Sequence, residues 1–85
     1  MASWVRSTQA GRVVTKDGPS PARLTFGKKL RAARRARDMT LEDLSETSGV
    51  NWSYISQVES GHRNIAVDNM WRLAQGVGLE LKDLL

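Results

Sequence analysis

Short hydrogen-bonding side chains recur between residues 52 and 60 at spacings that bring them to one face of a helix. Ser53 lies one turn before Ser56 and Gln57, and residues three or four apart are neighbours on a helix surface. A serine hydroxyl donates and accepts hydrogen bonds, and a glutamine amide does both through separate atoms. This chemistry suits the edges of nucleic-acid bases, where glutamine pairs bidentately with adenine and serine bonds to most bases or to a phosphate.

Two interpretations of this face stay open from the residues alone. Ser53 and Gln57 are either reading residues or ordinary solvent-facing side chains. Trp52, at the start of the same segment, either touches a thymine methyl group or a sugar, or shields the turn of the helix.

The sequence contains few residues suited to metal binding or catalysis. The chain has no cysteine and one histidine, His62, which excludes disulfides, thiolate metal sites and cysteine nucleophiles and leaves no ligand set for zinc. No carboxylate cluster or nucleophile–base pair supports catalysis. We expect no enzyme activity, no metal and no cofactor.

The charge is unevenly distributed along the chain. Residues 1–37 hold ten Lys and Arg and one acid, whereas residues 38–85 hold three bases and eight acids, for a net charge of +4. A basic segment of this kind indicates a polyanionic partner, most often nucleic acid. A solvated basic helix face is the alternative.

Size and composition indicate one small domain. The 85 residues are 40% hydrophobic and 26% charged, which is ordinary for a globular protein. No apolar run approaches the roughly 18 residues of a membrane span, and the N-terminus lacks the apolar region of a secretory signal. We therefore expect a cytoplasmic protein with no membrane association.

The elements that must position the polar face are all helical. Residues 1–23 are rich in glycine, proline and polar residues and predict a flexible basic arm, with a short hairpin as the weaker alternative. Apolar spacing predicts helices over residues 24–37, 41–48, 52–60, 67–77 and 80–85. Thr40 and Asn51 are suited to cap the second and third, and Gly49 supplies the turn between them. The fold class is thus all-α, a compact five-helix domain over residues 24–85 behind the arm.

The order helix, glycine turn, helix resembles the Cro/repressor-type, or XRE-like, helix-turn-helix family. The resemblance covers residues 24–85 and rests on four segments of the sequence: Leu30-Arg31-Ala32-Ala33-Arg34; Met39-Thr40-Leu41-Glu42-Asp43-Leu44; Gly49-Val50-Asn51-Trp52-Ser53-Tyr54-Ile55-Ser56-Gln57-Val58-Glu59-Ser60-Gly61; and Leu73-Ala74 with Gly78-Leu79. The Arg-Asn-Ile string at residues 63–65 is also similar to controller proteins of restriction–modification systems. Leu41 and Ser45 depart from the family, which often has Gln and Ala there.

The resemblance implies a set of contacts to double-stranded DNA. Five residues are expected to contact bases in the major groove: Asn51, Trp52, Ser53, Ser56 and Gln57. Five more are expected to contact phosphates: Thr40, Tyr54, His62, Arg63 and Asn64. Arg34 matches the family arginine that pairs with the glutamate closing the third helix, here Glu59. The residues agree, because Arg34 lies one turn after Leu30 and Glu59 one turn after Ile55, which puts both on the rim of the core.

The C-terminal helices carry more apolar residues than a core of this size can absorb. We expect them to form a homodimer interface from Met70, Trp71, Leu81, Leu84 and Leu85, with Val77 and Leu79 nearby and with Trp71 and Leu84 near the centre. Packing in the core of the domain is the alternative for Trp71.

The function expected from these features is a sequence-specific transcription regulator. It would bind a two-fold symmetric operator as a homodimer through residues 52–60 and act by occupying DNA or by contacting RNA polymerase. One alternative is an antitoxin whose main partner is a toxin protein, which an apolar patch at Trp4-Val5 or Val13-Val14 would favour. The other is the DNA-reading domain of a nuclease or recombinase. The operator sequence and the sign of regulation stay open.

Overall fold

The computed structural model describes residues 18–85. Within this range the chain forms four α-helices followed by one short 3-10 helix. The bounds are α1 Pro21–Ala36, α2 Leu41–Ser48, α3 Trp52–Glu59, α4 Val67–Gly76, and the 3-10 helix Leu81–Leu84. The all-α class is confirmed. The fifth element is a single 3-10 turn rather than the α-helix expected over residues 80–85.

The first helix begins three residues earlier than its apolar spacing predicts. Ser20 caps it by accepting a hydrogen bond from the backbone N–H of Arg23 at 3.1 Å. Pro21 occupies the first helical position. Proline lacks a backbone N–H, but an N–H at this position would have no acceptor within the helix. Residues 21–23, assigned to the arm on sequence grounds, are therefore part of the folded domain. The rest of the expected arm, residues 1–17, lies outside the described residues, and so do Trp4-Val5 and Val13-Val14.

One core joins all five elements. The side chains that close it are less than 7% exposed and come from every helix and from the α2–α3 turn: Phe26, Leu30, Leu44, Val50, Ile55, Val58, Leu73, Ala74, Val77 and Leu84. Since each helix is short, none is stable without this shared burial.

Leu84 corrects the expected dimer interface. Its side chain is 1% exposed within the protomer because the 3-10 helix folds back onto the core, where Lys29 of α1 donates to the Leu85 carbonyl oxygen at 3.2 Å. Val77 is buried to the same extent. Neither residue can lie at a surface between two copies.

The first and third helices pack tightly against each other at Gly27. A Cβ atom at this position would collide with the backbone carbonyl oxygen of Val58 and lie 2.9 Å from that of Glu59. Glycine is required here for lack of space, not for its backbone angles, and the close approach fixes how α3 is held against the domain.

Candidate nucleic-acid interface

The α2–turn–α3 unit is shaped by local hydrogen bonds. The Thr40 hydroxyl oxygen accepts from the Asp43 N–H at 3.0 Å, and the Asp43 carboxylate accepts from the Thr40 N–H at 2.9 Å, which forms a capping box. Gly49 ends α2 with a φ of 77°, the left-handed conformation that glycine adopts without strain. Val50 then turns into the core. These contacts set the angle at which α3 leaves the turn.

The third helix separates into an anchored face and a free face. Ile55 and Val58 are 0% exposed and hold the helix to the core. The side chains on the other side of the helix are exposed, as expected for the candidate reading face: Trp52, Ser53, Ser56 and Gln57. The geometry therefore leaves a row of polar side chains free to meet a ligand.

Asn51 caps α3, as the sequence predicts, and Trp52 follows it at the start of the helix. The Asn51 side-chain oxygen accepts from the N–H groups of Ser53 and Tyr54 at 2.8 and 3.4 Å. Its amide N–H groups are thus what it can offer to a base. Trp52 is 49% exposed and borders a shallow groove with the acidic residues of α2.

The segment after α3 turns back over its reading face. Gly61 N–H donates to the Val58 carbonyl oxygen at 3.1 Å and His62 N–H to that of Gln57 at 2.9 Å, which is the Schellman pattern. This turn brings Arg63 over the Tyr54 ring, with its guanidinium carbon 5.2 Å from the ring centroid.

The phosphate-contact candidates of this turn lie together beside α3. Arg63 Nε donates to Gln57 Oε1 at 2.8 Å. The Tyr54 hydroxyl donates to the Asn64 carbonyl oxygen at 3.4 Å. His62 Nδ1 is 2.8 Å from the Ser60 hydroxyl oxygen.

A second group of basic residues, not among the predicted phosphate contacts, lies on α1. Arg31 and Arg35 line an open groove that also includes Thr40, Ser56 and Ser60. Their separation by one helical turn, just before Thr40 in sequence, is the signal that could have identified them. The Thr40 hydroxyl accepts the capping bond, so its own hydrogen stays available to a phosphate oxygen in this groove.

Arg34 and Glu59 lie against each other behind the reading face. Arg34 Nε and Nη2 donate to the two Glu59 carboxylate oxygens at 2.7 and 2.9 Å, and Nη1 donates to the Met39 carbonyl oxygen at 2.8 Å. The hydrogen bonds that Arg34 donates to the Glu59 carboxylate raise the pKa of Arg34 above its ordinary value. These hydrogen bonds connect α1 to the end of α3. The two side chains are only 11% and 6% exposed, so the pair is largely shielded from water.

The remaining apolar candidates form two separate surfaces. Trp71, 54% exposed, and Leu81 border one groove on the α4 side. Met70 and Leu85 border another, next to Phe26. Val67 belongs to the apolar stripe that the sequence predicts for this helix, yet it is 66% exposed at the start of α4. Across residues 18–85, no helix combines the length and apolar character needed to cross a membrane.

Comparisons with known proteins agree with this geometry. A family model described as helix-turn-helix matches residues 30–84. The control protein C.BamHI of Bacillus amyloliquefaciens is 38% identical over 64 residues, which cover 74% of this chain and 79% of that protein.

Solved structures give the same result. The restriction–modification controller protein C.AhdI from Aeromonas hydrophila is 33% identical with a TM-score of 0.73, covering 78% of this chain and 100% of that one. The C.Esp1396I controller tetramer, solved in complex with its natural 35 base-pair operator, shares the fold at 22% identity with a TM-score of 0.69, covering 76% and 96% of the two chains. The chain therefore belongs to the Cro/repressor-type, XRE-like helix-turn-helix family of DNA-binding transcription regulators, with restriction–modification controller proteins among its relatives.

Proposed function

We propose that this protein regulates transcription by binding a two-fold symmetric operator as a homodimer, with α3 of each protomer in the major groove. The observation that carries the proposal is the division of α3 into a buried face, Ile55 and Val58, and an exposed polar face. An α-helix fits the major groove, where each base pair presents a distinct set of donors and acceptors.

Each group of the site has a place in this proposal. Ser53, Ser56 and Gln57 read bases, together with Trp52 and the amide N–H groups of Asn51. Backbone phosphates are held on one side by Thr40 and the two arginines of its groove, Arg31 and Arg35, and on the other side by residues 62–64 and Tyr54. Such phosphate contacts supply sequence-independent, salt-dependent affinity, whereas the base contacts supply specificity.

The first prediction tests base reading. Ser53→Ala and Gln57→Ala should each weaken binding to the selected operator by about tenfold, because a good base contact contributes on the order of 1–3 kcal/mol. Binding to random DNA should change little. The measurement is a titration of both DNAs at one salt concentration, after the operator has been selected from a random pool.

Thr25→Ala is the matched control, since it removes an exposed hydroxyl from α1, outside the α2–α3 pair. It should leave the ratio of specific to non-specific affinity unchanged. An equal loss on both DNAs for Ser53→Ala and Gln57→Ala would show that these residues do not read sequence.

The second prediction concerns assembly. We infer that two protomers meet through the α4 surface around Trp71 and Leu81. Trp71 is exposed and Leu81 is half-buried, and a second copy of the chain would cover both apolar side chains. Pairing also brings two recognition helices to half-sites about 34 Å apart. Trp71→Glu should convert a dimer into a monomer in sedimentation equilibrium at micromolar concentration, because a charge would be buried at the interface.

Trp52→Glu provides the matched control for that experiment. It replaces a comparably exposed tryptophan on the reading face and should weaken DNA binding while leaving the dimer intact. A wild-type monomer at micromolar concentration, or a dimer unaffected by Trp71→Glu, would contradict an interface on α4.

A further inference from the structure

Arg63 does not point away from the protein toward open solvent. Its Nε atom donates to Gln57 Oε1 at 2.8 Å, and its guanidinium carbon lies 5.2 Å from the centre of the Tyr54 ring. The Schellman turn at Gly61 sets this position by folding the chain back beside α3, and the Tyr54 hydroxyl holds the same segment through the Asn64 carbonyl oxygen at 3.4 Å. Arg63 is thus attached to the reading face at two points.

The chemistry of this contact fixes which way the Gln57 amide faces. Arginine has donors and no acceptor, so only the oxygen end of the amide can face it. A flipped amide would place N–H groups against N–H groups. The Nε2 atom with its two hydrogens is consequently the end of Gln57 that is turned away from Arg63.

This orientation conflicts with bidentate recognition of adenine, which uses both ends of the amide. Glutamine reads adenine by accepting from the N6 amino group and donating to N7. Here Gln57 Oε1 already accepts from the Arg63 guanidinium. An adenine amino group that donated to the other lone pair of Oε1 would lie beside this positive charge, and the two donors would repel each other. Guanine instead presents two acceptors, O6 and N7, in the major groove.

We propose that Arg63 is a positioning residue that makes Gln57 act as a donor only, so that Gln57 reads guanine rather than adenine. The inference rests on the proposed function, because it requires α3 to lie in the major groove. It goes beyond that function by assigning a base to a named side chain and by giving Arg63 a part in specificity in addition to a phosphate contact.

The test is selection of bound sites from a random duplex pool with the full chain and its variants. Comparing wild type with Gln57→Ala locates the base pair that Gln57 reads, because that position alone loses its preference. Wild type should select guanine there. Arg63→Ala frees the amide oxygen, and the preference at that position should shift toward adenine by about tenfold.

Arg63→Lys separates positioning from phosphate binding. Lysine keeps the positive charge but loses the Nε donor and the planar group over the tyrosine ring. It should retain the salt dependence of binding and still show the shift toward adenine. Arg72→Ala is the control, because Arg72 is an exposed arginine of α4 whose partner is Asn69. It should leave the selected sequence unchanged.

The outcomes that overturn the inference are distinct from those that overturn the proposed function. Adenine at the Gln57 position in the wild-type pool would refute it, and so would an unchanged preference in both Arg63 variants with only a uniform loss of affinity. A wild-type pool with no enriched sequence would refute the proposed function itself and the inference with it. Thermal melting of each variant checks that the domain is folded.

Discussion

Arg34→Ala is expected to lower the free energy of unfolding by about 3–5 kcal/mol, the usual result of removing one partner of a buried ion pair. The Glu59 carboxylate is 6% exposed and accepts two hydrogen bonds from Arg34. Without the guanidinium it would stay buried and unpaired. The Met39 carbonyl oxygen would lose its side-chain donor as well. Since small domains are stable by only about 5–15 kcal/mol, the loss should be evident in urea unfolding.

The matched control for this variant is Arg35→Ala, which removes the neighbouring, exposed arginine of the same helix. It should change stability by less than about 0.5 kcal/mol. Glu59→Ala should also destabilise, and the double variant Arg34→Ala/Glu59→Ala should lose less than the sum of the two single losses. Strict additivity would show that Arg34 and Glu59 do not stabilise each other, and equal effects of Arg34→Ala and Arg35→Ala would show that burial of the pair does not matter.

Gly27→Ala should cost about 2–3 kcal/mol of the free energy of unfolding, even though alanine is the better helix former by about 1 kcal/mol. The added methyl group meets the backbone oxygens of Val58 and Glu59, and a backbone atom cannot rotate aside as a side chain can. The two helices must therefore separate. Overpacking of a core usually costs up to about 3 kcal/mol, and this site should reach or exceed that value before the gain in helix propensity is subtracted.

Gly76→Ala is the comparison that isolates this effect. A Cβ at Gly76 would meet the Leu44 methyl group at 2.7 Å and the Ser48 Cβ and Thr47 hydroxyl at 3.0 Å, which are side-chain atoms and not backbone atoms. Its loss should therefore be clearly smaller when the two variants are unfolded under the same conditions. Equal losses, or a gain for Gly27→Ala, would contradict the close contact between α1 and α3.

Sequence reasoning located the elements best where a capping residue marks a boundary. Thr40 and Asn51 predict the starts of α2 and α3 that the structure shows. Apolar spacing alone places the start of α1 too late, because the boundary is marked by the Ser20 cap and Pro21. The start of α4 had no recognisable cap in the sequence, and the structure shows why: Ala66 occupies the cap position and makes no side-chain hydrogen bond.

Features that depend on tertiary contacts were beyond the sequence pattern. The position of Leu84 in the sequence is compatible with either a surface or a core location. Leu84 is buried because the 3-10 helix folds back onto the core. Gly27 looks like a weak helix residue until α3 is placed beside it. The contact of Arg63 with Gln57 depends on the direction of the turn after α3, which a list of polar residues does not convey.

The division of α3 into two faces affects how binding specificity can evolve. Ser53 and Ser56 are exposed, and exchanges at such positions usually alter stability by less than about 0.5 kcal/mol. On the proposed function, new operators can therefore be explored there with the scaffold unchanged. Asn51 is less free to vary, because losing its cap costs about 1 kcal/mol. Gln57 is constrained differently on the proposal that Arg63 sets its base preference, and a lineage that alters one of these two residues is then expected to carry a matching change in the other.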